Sequence, residues 1–253
     1  MYQEERIQAI LKYLNNHKRI SIEEICNLCN VSRDTARRDL VKLEKRKDIL
    51  RTRGGALLPS IKTEIKSYKD RLFTDSEVKK SIGKLAASLI KENDKIIMDT
   101  STTVQTCSEF INVDTCTIIT NSINQADILS NKSQKIRVHL LGGELNKEQR
   151  LLYGPPVISM LSNYYVDKLF IGSCGLSGKG IMTVFDEDGF VKKKMIEQAE
   201  EVILLCDSSK FGKEGFFRVA DLSKIDILIT DKLPDKSLLD IFNNYKIKII
   251  LTK

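Results

Sequence analysis

Seven short apolar runs, spaced about 20 to 30 residues apart, constrain the fold of this chain more than any other feature of its sequence. Helical stretches lie between them, and alternating strands and helices are typical of α/β domains with a mostly parallel sheet. The runs are Ile96–Met98, Thr117–Thr120, Val138–Leu141, Leu169–Gly172, Val202–Cys206, Ile227–Ile229 and Ile247–Leu251. We therefore predict an α/β domain over residues 75–253.

The first 58 residues follow a different pattern, in which three helical segments precede a hairpin. Apolar residues at helical spacing, from Ile7 to Leu14 and from Ala36 to Leu43, predict the first and third helices. Capping residues predict further boundaries: Ser21 with Glu24 for the second helix, Asn30 at its end, and Ser32 at the start of the third. Next, Gly54 and Gly55 separate two strand-like stretches, which predicts a β-hairpin, or wing.

Two helices joined by about three residues, the second with arginines near its start, are typical of a helix-turn-helix that docks in the DNA major groove. With the wing, this predicts a winged helix-turn-helix domain over residues 1–58. Residues 59–74 show no clear period and are predicted to be a linker. Thr74 with Glu77 forms a second capping box, which predicts the start of the first α/β-domain helix.

Positive charge is concentrated in the first quarter of the chain. The formal net charge is +7, and residues 1–60 contribute +5 of it, from 13 lysines and arginines against 8 acidic residues. The segment from Arg33 to Arg53, with nine basic and four acidic residues, accounts for this +5. A basic patch of this kind indicates a polyanionic partner such as nucleic acid, although a solvated helix face is the commoner meaning of a charge run.

Candidate DNA-binding residues lie on the predicted third helix and the wing. Arginine can read a guanine edge through two hydrogen bonds, and arginines on a wing tip suit phosphate or minor-groove contact. The candidates are Ser32, Arg33, Thr35, Arg37, Arg38, Arg51, Arg53 and Gly54.

The segment Val31–Ala56, VSRDTARRDLVKLEKRKDILRTRGGA, closely resembles the DNA-binding signature of the DeoR family of bacterial transcription regulators. The shared pattern runs VS-x-x-T-[IA]-RRDL-x-x-LE and continues to R-x-x-GGA. This resemblance implies a double-stranded DNA operator as the partner. It also implies that Cys26 and Cys29, three residues apart on the second helix, are packing residues.

Four of the apolar runs end in loops that suit an anionic ligand. In parallel sheets ligands bind at the carboxyl ends of the strands, and hydroxyls with backbone amides at helix N-termini favour phosphate. The alternative is local capping, since Ser, Thr and Asn cap helices and turns in all proteins. The candidate effector-binding residues are Asp99, Ser101, Thr102, Thr103, Thr120, Asn121, Ser122, Gly142, Gly143 and Lys210.

The same loops resemble the DeoR sensor domain, from about Ser76 to Asp231. The shared features are TNS at Thr120–Ser122, LGG at Leu141–Gly143, D-x-x-FIG at Asp167–Gly172 and DSSKFG at Asp207–Gly212. That domain is similar in fold to ribose-5-phosphate isomerase and glucosamine-6-phosphate deaminase. The resemblance implies a phosphorylated sugar as the effector.

This sequence departs from the family pattern at two positions. Ser101 replaces the glycine of D-x-G-[ST]-T, and a side chain there narrows a phosphate cradle. The motif E-A-x-[VL]-K is represented by Asp188 to Lys192, with a shorter carboxylate and a helix-weakening glycine after it. This match adds Lys192 to the effector-binding candidates.

Three function classes fit these features: an effector-controlled regulator, a sugar-phosphate isomerase with an accessory DNA-binding domain, and a DNA-binding regulator whose sensor has lost its ligand. Isomerisation needs a positioned carboxylate base, and Ser173–Gly180, SCGLSGKG, contains no carboxylate. We therefore predict a regulator without enzymatic activity. Repression relieved by the effector is the usual family behaviour, and paired recognition helices on repeated half-sites imply a dimer or higher homo-oligomer.

Other features argue against further ligands and locations. The chain has only two histidines, and its six cysteines are scattered, so we expect no metal, no cofactor and a reducing cytoplasm. No apolar run approaches the length of a membrane span, so no membrane partner is expected. The N-terminal MYQEERIQAI lacks the basic start and apolar core of a signal peptide.

Overall fold

The computed structural model describes residues 2–17, 19–46, 48–52, 54–57 and 67–252. The chain divides into two compact units, residues 1–64 and 65–253. Within the described residues, no helix combines the length and the apolar character needed to cross a membrane.

The first unit is a winged helix-turn-helix, as predicted. Its helices and strands are α1 (Gln3–His17), β1 (Arg19–Ser21), α2 (Ile22–Cys29), α3 (Arg33–Lys45), β2 (Leu50–Thr52) and β3 (Gly55–Leu57). The strands form an antiparallel sheet in the order β1-β3-β2. Apolar residues of all three helices and the sheet form one core: Ile7, Ile10, Leu14, Ile20, Ile25, Cys29, Ala36, Leu40, Leu43, Ile49 and Ala56. Cys26 packs against this core, so the packing role predicted for both cysteines is confirmed.

Local capping sets the helix boundaries of this unit. Ser21 and Glu24 form the predicted capping box, in which the Ser21 hydroxyl accepts from the Glu24 amide and the Glu24 carboxylate accepts from the Ser21 amide. Asn30 ends α2 in the left-handed conformation, with φ of 49°. The Ser32 hydroxyl accepts a 3.3 Å bond from the Thr35 amide and begins α3.

A buried ion pair joins α1 to α3. The carboxylate of Asp39 is fully buried and accepts from the guanidinium of Arg6 at 2.7 and 3.2 Å, and from the amide of Gln3 at 2.9 Å. The hydrogen bond to Asp39 raises the pKa of Arg6. Both oxygens of the Asp39 carboxylate therefore have partners. The ion pair fixes the buried side of α3 to α1, and the arginines lie on the exposed side of the helix.

The second unit is an α/β domain in which all seven predicted runs are strands of one sheet. Its helices are α4 (Tyr68–Phe73), α5 (Ser76–Ala87), α6 (Thr102–Phe110), α7 (Ile123–Ser130), α8 (Pro155–Leu161), α9 (Asp186–Glu197) and α10 (Lys236–Asn244). Its strands are β4 (Lys95–Met98), β5 (Cys116–Thr120), β6 (Ile136–Leu140), β7 (Glu144–Asn146), β8 (Leu151–Tyr153), β9 (Val166–Gly172), β10 (Gly175–Ser177), β11 (Gly180–Thr183), β12 (Ala199–Leu205), β13 (Phe217–Ala220), β14 (Ile227–Thr230) and β15 (Lys248–Leu251).

The main sheet has seven strands in the order β15-β14-β12-β9-β4-β5-β6, and every neighbouring pair is parallel. Helices cover both faces, because each face supplies apolar side chains to its own core. One core includes Ile82 of α5, Val104 of α6 and Leu129 of α7. The other includes Val157 of α8, Val191 of α9 and Phe242 of α10. The order of the strands reverses beside β4, which places a topological switch point between β4 and β9.

The predicted capping box of Thr74 and Glu77 is wrong. Helix α5 begins at Ser76, and its N-cap is Asp75, which has φ of 50° and makes no side-chain capping bond. The Thr74 hydroxyl instead donates to the carbonyl of Asp70 at 2.8 Å, because Thr74 closes the short helix α4. Helix α4 occupies the last part of the segment predicted as a linker.

Candidate DNA-binding surface and candidate effector site

The exposed side of α3 carries the predicted DNA-binding arginines. Arg33, Arg37 and Arg38 are exposed, whereas Ala36 and Leu40 on the other side of the helix are buried. Arg33 pairs with Glu23 at 2.6 Å, and Arg37 lies 3.8 Å from Asp34. In the described part of the chain, Arg38 has no carboxylate partner. Exposed ion pairs of this kind contribute little stability, so both carboxylates can be exchanged for DNA phosphate.

Ser32 and Thr35 lie at the start of this helix. The Ser32 hydroxyl is 3.0 Å from the Thr35 hydroxyl and caps the helix, so a direct DNA contact by either residue stays a prediction. The N-terminal turn of α3 presents free backbone amides next to these hydroxyls, which is suited to a phosphate.

The predicted wing is an antiparallel hairpin whose tip contains Gly54. The backbone of Arg51 lies in β2 opposite Ala56, but its side chain lies outside the described residues, as does Arg53. Gly54 is exposed and has open space where a Cβ would lie. At Gly55 a Cβ would lie 2.1 Å from the carbonyl oxygen of Ile20, so this glycine permits the close approach of β1 and β3.

Asp99 occupies the switch point at the carboxyl end of β4. Its buried carboxylate accepts from the backbone amides of Ser101 at 2.9 Å and Gly172 at 3.1 Å, and from the ammonium group of Lys192 at 2.6 Å. It therefore connects β4, the start of α6, the end of β9 and helix α9. Asp99 and Lys192, both predicted as effector ligands, neutralise each other in this structure.

Lys192 is fully occupied by protein groups. Its ammonium group contacts Asp99, donates to the carbonyl of Gly172 at 2.9 Å and lies 3.5 Å from Asp188. Burial lowers the pKa of Lys192, but the carboxylates of Asp188 and Asp99 outweigh burial, so the pKa lies above its ordinary value. Lys192 is thus a permanent cation that fixes two carboxylates at the crevice.

Ser101 fills space at the crevice where the family pattern has glycine. Its hydroxyl accepts from the amide of Val104 at 3.1 Å and caps α6. A Cβ added to Gly172 would lie 2.3 Å from the Ser101 Oγ and 2.5 Å from its Cβ. The serine side chain therefore packs on the Cα of Gly172, and the narrowing of a phosphate cradle by Ser101 stays a prediction.

The loop after β5 is tied down by its own side chains. The Thr120 hydroxyl accepts from the amide of Ser122 at 3.0 Å, and the Ser122 hydroxyl caps α7. The side-chain amide of Asn121 donates to the carbonyl of Leu152 at 2.8 Å, which leaves its buried Oδ1 without a partner among the described residues. Among the described residues of this loop, Asn121 Oδ1 is therefore the buried oxygen that can still accept a hydrogen bond.

The remaining candidates lie at different distances from the switch point along the sheet edge. Thr102 and Thr103 form the buried first turn of α6, beside Asp99. Gly142 and Gly143 follow β6, two strands away from β4. A Cβ on Gly143 would lie 2.5 Å from the carbonyl oxygen of Tyr153, so close packing against β8 explains this glycine without a ligand.

Lys210 lies beyond the carboxyl end of β12, in a 3₁₀ turn over Ser208–Lys210. The Asp207 carboxylate accepts from the amide of Ser209 at 3.1 Å and caps this turn. Lys210 is half-buried, and no partner for its ammonium group is found among the described residues. Among the described residues it is therefore a cation without an ion-pair partner at the carboxyl edge of the sheet.

Several residues that the sequence interpretation missed lie at the same edge. The chain leaves α5 near the amino ends of β4 and β5, where the amide of Asn93 donates to the carbonyl of Thr115, so the first turn of α5 and the preceding α4 lie toward the carboxyl edge. There Lys79 is buried and donates to the carbonyl groups of Arg71 and of Thr74, the latter at 2.7 Å. Burial lowers the pKa of Lys79 to about 8. Its position three residues before the buried Ile82, on the apolar stripe of α5, is a sequence signal for this burial.

Buried polar atoms without partners concentrate at this edge. Among the described residues four such side-chain atoms occur: Asn121 Oδ1, Asp188 Oδ1, Gln149 Nε2 and Gln198 Oε1. The first three lie around the carboxyl ends of the strands, and Gln198 lies at the opposite end, beside Val166. Buried polar groups are normally satisfied, so the three atoms mark a place that a ligand or water can complete.

A separate surface depression of about 550 Å³ lies on the small antiparallel sheet β10-β11-β13. Its walls include Lys179, Glu214, Arg218 and Asp221, and Lys179 pairs with Glu214. Two positive and two negative charges balance there, so this depression does not select an anion, and it contains none of the predicted site residues.

Two family models match the chain. The DeoR-like helix-turn-helix domain matches residues 6–62, and the DeoR C terminal sensor domain matches residues 74–232. The resemblance to the DeoR family predicted from the two sets of motifs is confirmed.

Several curated proteins are similar over nearly their whole length. The HTH-type transcriptional repressor GlcR of Bacillus subtilis (strain 168) is 54% identical over 100% of this chain and 98% of its own. The lactose phosphotransferase system repressor of Streptococcus mutans is 35% identical, covering 94% and 96%. The glycerol-3-phosphate regulon repressor of Escherichia coli (strain K12) is 30% identical, covering 99% and 100%.

Among solved structures, ribose 5 phosphate isomerase A from Neisseria gonorrhoeae aligns with 55% of this chain and 54% of its own, at 14% identity and a TM-score of 0.40. Sequence motifs, family models and full-length relatives lead to one assignment. This chain belongs to the DeoR family, with a DeoR-like helix-turn-helix domain followed by a DeoR sensor domain.

Proposed function

We propose that this protein is a sequence-specific, DNA-binding transcriptional repressor of genes for carbohydrate use, controlled by a phosphorylated sugar. The DNA-binding part of the proposal depends on the exposed arginine face of α3. The opposite face of this helix is fixed by the buried core and by the Arg6–Asp39 ion pair. Arginines on the exposed side of a recognition helix can reach base edges in the major groove. The names of the relatives support a role in sugar-related regulation.

The effector part of the proposal is supported by the carboxyl edge of the seven-stranded sheet. The free cation of Lys210 suits a phosphate group, and the buried acceptors Asn121 Oδ1 and Asp188 Oδ1 suit sugar hydroxyls. The proposed site consists of the eleven residues of the sequence interpretation together with Asp188. Within it, Asp99 and Lys192 hold the crevice in shape, and the other residues contact the ligand.

We also propose that the protein is a regulator rather than an enzyme. A base for isomerisation must be a carboxylate that is free to accept a proton. Asp99 is bonded to Lys192 and to two backbone amides, and Asp207 caps its own turn. Asp188 accepts from the Thr183 hydroxyl at 3.0 Å and lies 3.5 Å from the Lys192 ammonium group, which stabilises its ionised form. The loop Ser173–Gly180 supplies no acid.

In the proposed mechanism, a dimer or higher homo-oligomer places two α3 helices on repeated half-sites of an operator. Effector binding favours a conformation of the sensor domain in which the two DNA-binding domains no longer match the half-site spacing. DNA is then released, and transcription begins.

Fluorescence anisotropy on DNA from upstream of the protein's own gene tests this proposal. Salt must be fixed, because phosphate contacts make affinity depend steeply on ionic strength. We expect Arg37→Ala or Arg38→Ala to weaken operator binding by about 1 to 3 kcal/mol, and Lys12→Ala, an exposed change on α1, to leave it unchanged. Unchanged affinity in both arginine variants would refute their role in recognition.

The effector is tested in the same assay with glucose 6-phosphate, fructose 6-phosphate, ribose 5-phosphate and glycerol 3-phosphate, each beside its unphosphorylated form. Release of DNA by one phosphorylated compound and not by its free form supports the proposal. DNA binding that none of them alters contradicts the effector part and favours a regulator that has lost its ligand. Because one relative is named an L-fucose operon activator, transcription in vitro with and without the compound determines the sign of regulation.

A further inference from the structure

Four cations lie around the carboxyl edge of the main sheet without forming an ion pair to any described carboxylate. Arg71 lies on α4, Lys79 in the first turn of α5, Arg150 between β7 and β8, and Lys210 after β12. We call them the cationic cluster. Within the described residues, none of the four forms an ion pair with a carboxylate. Unpaired cations that converge on one edge form an anion site.

Side-chain hydrogen bonds place α4 at this edge. The Tyr68 hydroxyl, 1% exposed, donates to the side chain of Gln105 in the first turn of α6, and the Tyr68 amide donates to the carbonyl of Glu148 at 3.2 Å. Gln105 Oε1 also accepts from the side-chain amide of Asn124 at 3.4 Å. The Asn124 carbonyl oxygen in turn accepts from Arg150 Nε at 2.5 Å. Helix α4 therefore lies over the N-terminal turns of the two helices that follow the central strands.

Arg71 on α4 has a fixed guanidinium group with donors left for an anion. Its guanidinium stacks on the ring of Tyr68, 5.5 Å from the centroid, and donates to Gln149 Oε1 at 2.7 Å. One bond to a neutral amide leaves several of its five N–H donors for a two-pronged bond to phosphate. Gln149 Nε2, on the same side chain, is a buried donor without a partner among the described residues.

We propose that Arg71 and Gln149 bind the phosphate group of the effector, so that α4 forms one wall of the effector site. This inference rests on the proposed function, and it assigns ligand residues outside the sequence-derived set. The phosphate lies toward the cationic cluster, and the sugar hydroxyls lie toward the unused acceptors of Asn121 and Asp188. Lys79, whose ammonium group holds the carbonyls at the end of α4, keeps this wall in place.

Gln149→Glu separates this proposal from a purely structural role of the Arg71–Gln149 contact. The substitution places a carboxylate 2.7 Å from the guanidinium and supplies an internal competitor for the phosphate. A phosphate-binding role predicts weaker ligand binding, with stability kept or raised. A structural role alone predicts a stronger contact and unchanged ligand affinity.

The experiment is isothermal titration of the full-length protein with the sugar phosphates named above and with inorganic phosphate as a competitor. We expect Arg71→Gln and Gln149→Glu each to weaken sugar-phosphate binding about 10- to 100-fold and to abolish competition by inorganic phosphate. Lys69→Ala, an exposed change on the same helix, should leave both unchanged. Thermal unfolding without ligand checks that each variant is folded.

Each outcome has a definite meaning. Unchanged sugar-phosphate affinity in folded Arg71→Gln and Gln149→Glu overturns the inference and leaves the proposed function standing. If the wild-type protein binds none of the sugar phosphates while still binding operator DNA, both the effector part of the proposed function and this inference are overturned.

Discussion

The buried ion pair between Asp99 and Lys192 allows a quantitative prediction. Asp99→Ala removes the acceptor for the Lys192 ammonium group and for the amides of Ser101 and Gly172. The two side chains are only 1% and 5% exposed, so water cannot replace these bonds. Removing one partner of such a pair costs about 3 to 5 kcal/mol, because the Lys192 ammonium group then keeps only the more distant Asp188, at 3.5 Å, and two backbone amides lose their acceptor.

Urea unfolding of the full-length protein, followed by far-UV circular dichroism, measures this loss. For a domain of this size, it corresponds to a fall of roughly 6 to 20 °C in the midpoint of thermal unfolding. The triple variant Asp99→Leu, Asp188→Asn and Lys192→Met should recover most of the stability, since it leaves no buried charge of this cluster without its partner. If Asp99→Ala costs less than about 1 kcal/mol, or the triple variant costs more than the single one, the reasoning is refuted.

Three further changes test other parts of the sensor domain. Gly172→Ala should destabilise the sensor domain by about 1 to 3 kcal/mol, because the new Cβ would clash with the Oγ and Cβ of Ser101. Adding Ser101→Gly should restore the lost stability, and thermal unfolding that shows no such recovery contradicts the packing argument. Lys210→Ala should spare operator affinity and weaken the response to sugar phosphate; an unaltered effector titration argues against Lys210 as a ligand. The pKa of Lys79 is about 8 in the folded protein and 10.5 in the unfolded chain, so between these pH values only the unfolded state keeps the proton. The free energy of unfolding therefore rises with pH in this window, by about 1 to 2 kcal/mol after solvent screening. Lys79→Met should flatten this rise when urea unfolding is measured at several pH values.

The main sheet could be predicted because its strands are buried on both faces. Such strands are continuous apolar runs, as in Val202–Cys206, and the sequence spacing between them fits a connecting helix. The small antiparallel pieces could not, since β10 and β11 have three and four residues and are too short to establish a period. Helix α4, with six residues, was missed for the same reason.

The site could be predicted only in part, because local motifs do not contain long-range pairings. The match to the family motif identified Lys192, but nothing near it in sequence indicates that its partner is Asp99. Arg71 has no local signal at all, since its partner Gln149 is 78 residues away. The caps at Ser21 and Ser32 were predicted correctly because each cap and its bond lie within four residues, whereas the capping box predicted at Thr74 was wrong because helix α4 ends there.

The position of β4 in the middle of the sheet affects the order of events during synthesis on the ribosome. Its neighbour β9 provides Gly172, which is 73 residues after Asp99 along the chain, so the crevice cannot close until that strand has emerged. The DNA-binding unit ends at residue 64. At about 5 to 20 residues per second, it leaves the ribosome roughly 5 to 20 s before the crevice is complete. Each new molecule therefore has its helix-turn-helix domain before the crevice of its sensor domain has formed.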